Sequence, residues 1–154
     1  MPFRSARRAG EFGTAAIEFA LMSPLLMILF TGVVEIGMAA FQDMQVQASA
    51  EAGALYAVTY GVANLTSISN AVVTATGTAG ITASPVPLVF CGCPTASGVV
   101  SQGTNCTTVC PDKTAPGEYV TVSATLTRTN LIPLPYINLV LPSSFTGHSV
   151  VRIQ

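Results

Sequence analysis

Hydrophobic and polar positions divide the chain into one continuous apolar segment near the N-terminus and a second part of short, broken patterns. From Thr14 to Phe41 the residues read TAAIEFALMSPLLMILFTGVVEIGMAAF, and the only charges among these 28 positions are Glu18 and Glu35. A helix of that length extends about 42 Å, enough to cross a hydrocarbon core of ~30 Å. The uncharged stretch from Phe19 to Val34 puts both glutamates toward the two faces of a bilayer rather than at its centre. Pro24 interrupts the run, but membrane helices accommodate proline with a local kink. Gly32 and Gly37 permit close helix approach without forming a GxxxG repeat.

Beyond Phe41 the helical pattern continues to about Val58. Phe41, Met44, Ala48, Ala52 and Leu55 recur at spacings of three and four and predict one apolar stripe, expected to pack on the chain's own head. Packing of this stripe between neighbouring copies is the alternative. Tyr60-Gly61 supplies a stop. Thr66 to Ala75 predicts a short second helix, with Thr66 or Ser67 as N-cap and Ile68, Ala71, Val72 and Ala75 on one face. Gly77 to Pro85 reads as a loop. Val86 to Phe90 reads as a short strand, which Pro87 assigns to an edge or a bulge.

Tyr119 to Arg128 alternates. Val120, Val122, Ala124 and Leu126 face one way, and Thr121, Ser123, Thr125 and Thr127 the other, as in a half-buried strand. Leu131 to Phe145 is apolar but broken by Pro133, Pro135 and Pro142, and reads as a crossover loop covering the sheet. Ser149 to Ile153 predicts a last strand. The expected class is α+β: a long N-terminal transmembrane helix leading into a small extracytoplasmic head with a short antiparallel sheet. The boundaries are a basic leader at 1–13, a transmembrane and stem helix at 14–60, and a head at 61–154 containing a cysteine loop at 91–110.

Charge then orients this arrangement. Only 8% of the 154 residues are charged, and none lies between Ala52 and Pro111. Arg4, Arg7 and Arg8 precede the apolar run and no Lys or Arg follows it for a long way, so the N-terminus is cytoplasmic and residues beyond about Phe41 are outside. A formal net charge of −1 gives no electrostatic reason to expect nucleic acid as a partner.

Cys91, Cys93, Cys106 and Cys110 fall within one Gly/Pro/Thr-rich window, and an even cluster outside the cytoplasm predicts disulfides. A Cys91–Cys93 bridge would close a very tight ring, so bridges between the CxC and CxxxC halves are favoured, with their connectivity open. The rival is a four-thiolate zinc site, but the spacing is not that of a familiar zinc knuckle.

Chemistry of other kinds finds little support. His148 is the only histidine, and beyond the stem the only carboxylates are Asp112 and Glu118. There is no P-loop and no GxGxxG. Neither catalysis, a cofactor nor a bound metal is expected. The triplets at Asn64 and Asn105 match a glycosylation sequon, a short pattern that carries little weight alone.

Three readings compete for the N-terminal arm. A secretory signal peptide would be cut near Ala39-Ala40, but two glutamates and excess length make a poor apolar core. An uncleaved signal anchor leaves Gly13 and Glu18 without a role. A type IV prepilin leader uses both: cleavage after Gly13 makes Thr14 the new N-terminus and Glu18 mature residue five, followed by Phe19. In a fibre the free amine of one subunit can pair with the Glu of a neighbour. That pairing neutralises two charges that resist burial among apolar helices, and it sets register.

Residues 10–60 resemble the TadE-like pseudopilins of the tight-adherence (Tad) branch of type IV pili. The match is carried by Gly13 with Glu18-Phe19, by Pro24-Leu25-Leu26, by Val34-Glu35-Ile36-Gly37, and by the alanine-rich stretch from Ala48 to Ala57. Met38 stands where the family often has a basic residue, and the insert from Cys91 to Cys110 departs from the common pattern. The resemblance implies cleavage by a prepilin peptidase and a minor structural or assembly role in an adhesive pilus. Its partners would be other Tad pilins, an inner-membrane assembly platform and the lipid bilayer. The competing function is a single-pass, membrane-anchored binding or adhesion module that needs no prepilin processing.

Overall fold

The computed structural model describes residues 11–129 and 141–153, with Glu11 and Phe12 described by backbone only. Two compact units divide the chain, residues 1–38 and 39–154.

Helix α1 (Glu11–Tyr60) contains Pro24 and ends where Gly61 takes a positive φ of 80° and its amide donates to the Ala57 carbonyl at 2.9 Å. Glycine pays no Cβ penalty in this left-handed position, which stops the helix. Among the described residues α1 is the one helix long and apolar enough to cross a membrane, and its most apolar window is entirely unburied in the isolated chain.

Helix α2 (Leu65–Thr74) starts one residue before the expected position. Its N-cap is Asn64, whose side-chain oxygen accepts from the amides of Thr66 and Ser67 at 3.1 and 3.3 Å. Asn in an extended conformation outcompetes Thr66 and Ser67 because its oxygen reaches both orphan amides of the first turn.

Among the described residues five antiparallel strands follow: β1 (Ile81–Thr82), β2 (Leu88–Thr95), β3 (Gly98–Gly103), β4 (Gly117–Thr127) and β5 (Ser144–Arg152). β4 is central. β5 pairs along one edge from Tyr119↔Arg152 to Thr127↔Ser144. The other edge is shared, β2 pairing with residues 117–121 and β1 with Thr125 and Leu126. β3 lies outside β2. Val120, Val122, Ala124 and Leu126 are buried as their alternation requires, and with Val46, Ala50, Ile68 and Val72 they form the core of the second unit.

The stem stripe differs from the expectation. Phe41, Met44 and Leu55 are 51, 62 and 67% exposed, and Ala48 is exposed as well. The buried face is the neighbouring one, made of Ala39, Gln42, Val46, Ser49, Ala50, Gly53, Ala54 and Ala57. Small side chains let the helix axis approach the sheet, and large ones would hold it away. At Gly147 of β5 an added Cβ would lie 2.7 Å from the Val46 carbonyl oxygen, so strand and helix backbones nearly touch there. At Gly53 it would collide with Val72 of α2 and come within 2.8 Å of Val122 of β4.

Three further differences concern the head. Pro87 precedes β2 rather than interrupting it, and β2 is internal, with its register shift between Cys91 and Gly92. A two-residue strand, β1, lies in the expected 77–85 loop, and β5 begins five residues before Ser149. Most of the apolar Leu131–Phe145 segment lies outside the described residues, while Ser144 and Phe145 open β5.

Candidate functional site

Two sequence features carry the candidate function, one in each unit. In the first, Gly13, Thr14, Glu18 and Phe19 lie in consecutive turns of α1, and all four are exposed. A Cβ at Gly13 would meet nothing within 4 Å, and the same holds for Gly32 and Gly37. Among the described residues, packing therefore gives no reason for glycine at these positions. Arg4, Arg7 and Arg8 lie outside the described residues. Glu35, by contrast, is 3% exposed.

The second feature is the cysteine cluster. Cys91 and Cys93 belong to β2, while Cys106 and Cys110 lie in the segment after β3. Disulfides join Cys91 to Cys106 and Cys93 to Cys110, with Cα separations of 5.1 and 5.7 Å. Both bridges link the CxC half to the CxxxC half. Gly92 between the first pair is enforced by crowding: an added Cβ would strike Val99 and lie 3.1 Å from the Phe90 ring and 3.2 Å from the Val100 carbonyl. β3 lies inside the expected 91–110 loop. The alternation in Gly98–Gly103 is too weak to register, because β3 is a mostly exposed edge strand.

A tight turn completes the cluster. The Cys110 amide donates to the Thr114 carbonyl at 3.0 Å, and the Lys113 amide to the Cys110 carbonyl at 2.8 Å. The Asp112 carboxylate accepts from the Thr114 hydroxyl at 2.7 Å and from its amide at 3.1 Å. These bonds, the hydroxyl's first, hold the Asp112 pKa below its ordinary value. A short polar residue two before a threonine is the signal that could have revealed this turn.

Elsewhere in the head, a groove of about 520 Å³ on the sheet is lined by Leu88, Phe90, Val99, Ser101, Thr121 and Val150, with no titratable side chain among them. His148 Nδ1 lies 2.9 Å from the Ser123 hydroxyl, but Ser123 is 2% exposed and closed to a substrate. Among the described residues no three His, Cys, Asp or Glu side chains gather to hold a metal ion.

With this geometry in place, residues 13–55 match the model of the TadE-like protein family. The matched segment lies wholly within α1, and the disulfide-bearing head is outside it. No curated protein and no solved structure matches the chain. The match supports a component associated with the Tad pilus, with other pilus components as partners. Among the described residues, the one helix long and apolar enough to span a bilayer fits a single-pass membrane protein.

Proposed function

We propose that the chain is a minor pilin or pseudopilin of a Tad-type pilus, made as a precursor and cut after Gly13 by a prepilin peptidase. Its role is structural rather than catalytic. It is held in the inner membrane by α1 with the N-terminus cytoplasmic and the head outside, where disulfides persist. Thr14 becomes the free amine, and Glu18 pairs with the amine of a neighbouring subunit to set register.

The observation that carries this reading is the Gly13–Glu18 spacing at the head of an apolar helix, inside the segment matched to TadE-like proteins. The open space around Gly13 supports a glycine needed by a peptidase rather than by folding. The exposed stripe of Phe41, Met44 and Leu55 supports lateral packing of stems once subunits assemble.

Mass spectrometry of the protein purified from membranes tests the proposal. A mature N-terminus at Thr14 is expected. A start at residue 1 or 2 would instead favour the anchored binding module, and one near Phe41 a secreted protein. Either would remove the reason for assigning Glu18 a role.

A further inference from the structure

The four cysteines are equivalent in sequence but not in access. Cys91, Cys93 and Cys110 are 2, 3 and 4% exposed, whereas Cys106 is exposed. A thiolate attacks a disulfide sulfur along the S–S axis, from the side opposite the leaving sulfur, so the rate depends on which sulfur can be reached. Cys106 is the exposed end of its bridge, so attack there makes Cys91 the leaving group. Cys93–Cys110 has both ends buried.

The consequences of opening the two bridges also differ. Gly103 ends β3, which stays paired with β2 from Gly92↔Ser101 to Thr95↔Gly98. Cys110 is anchored by its own bridge and by its bonds to Lys113 and Thr114. Between these anchors, Thr104 to Val109 contains neither helix nor strand, and Cys106 is its covalent tie to the sheet.

We propose that the two disulfides open separately, and that Cys91–Cys106 is a redox catch holding the Thr104–Val109 loop against the sheet. The reductant is a dithiol. Its first thiolate bonds to Cys106 Sγ and expels Cys91 as a thiolate, which takes a proton from water. Its second thiolate then displaces Cys106 from the mixed disulfide. The dithiol ends as a cyclic disulfide, and two electrons and two protons have passed to Cys91 and Cys106. The loop, with Val109 64% exposed, swings free between fixed ends while Cys93–Cys110 and the sheet remain.

The test is timed reduction of the full chain in detergent micelles with dithiothreitol, followed by alkylation and peptide mapping. With alkylation under denaturing conditions at each time point, Cys91 and Cys106 should be labelled together, about tenfold faster than Cys93 and Cys110. In urea the difference should vanish, since it comes from burial. In the half-reduced protein, faster amide exchange should be confined to residues 104–109. Simultaneous labelling of all four, earlier opening of Cys93–Cys110, a rate difference that survives urea, or exchange spreading into β2 and β3 would each overturn the catch.

Discussion

Gly53 and Gly147 both sit where α1 packs tightly within the head, and the two obstacles differ in kind. A methyl at Gly53 meets the side chains of Val72 and Val122, which can shift or change rotamer. A methyl at Gly147 meets the main chain of α1 at Val46 and Gln47, which cannot. Gly53→Ala should cost about 1–3 kcal/mol, as overpacking of a filled core does, and Gly147→Ala more than that. Urea unfolding of the two variants, with equal losses or the reverse order, would refute the distinction. At Asp112 the effect is electrostatic. Its folded pKa is depressed, so its stabilising contribution is present above the ordinary value of 3.8 and is lost as pH falls through the folded pKa. The carboxyl is fully exposed, so this contribution is small. Thr114→Val removes the hydroxyl donor and leaves the backbone one. An NMR titration of the Asp112 carboxyl carbon should then show its pKa moving up toward the ordinary value.

Elements were legible where one physical requirement acts alone. The apolar run of α1 appears in the sequence as one long helix, and the alternation of β4 appears with its inner face correct. The stem's inner face did not, because hydrophobicity was read as burial. Ala, Ser and Gly pack there for their small volume, while Phe41, Met44 and Leu55 stand outside. β3 and β5 blurred for a related reason: as edge strands they satisfy packing on few positions. The cysteines were legible as disulfides but not as part of a strand, since Gly92 and the register shift beside it disguise the period. Their roles in the fold follow from where they sit. Cys93–Cys110 is buried between internal β2 and the Asp112 turn, so the double variant Cys93→Ser, Cys110→Ser should lose about 2–5 kcal/mol. Thermal unfolding checks this; an unchanged midpoint would mean that the β2–β3 ladder holds the head unaided.

At the scale of the whole molecule, the head has a core built, among the described residues, from Ala39 onward, and the most apolar window of α1 is unburied in the isolated chain. Two kinds of substitution separate folding from assembly. Met44→Gln with Leu55→Gln alters exposed positions that the core does not use, and such changes typically shift stability by no more than about 0.5 kcal/mol. Glu18→Ala removes a carboxylate from an apolar helix and so makes membrane insertion easier. Both variants should therefore reach the membrane with intact disulfides and a mature N-terminus at Thr14. If stems pack laterally through the outer stripe and register comes from the Glu18 pairing, both should lower the amount of this chain recovered with sheared pili. The stripe variant should do so by weakening contacts all along the stem, the Glu18 variant by blocking entry of each subunit. Normal recovery of the Glu18 variant would assign the carboxylate no role in assembly. Normal recovery of the stripe variant alone would leave the register pairing standing and turn the exposed stem face toward some other partner.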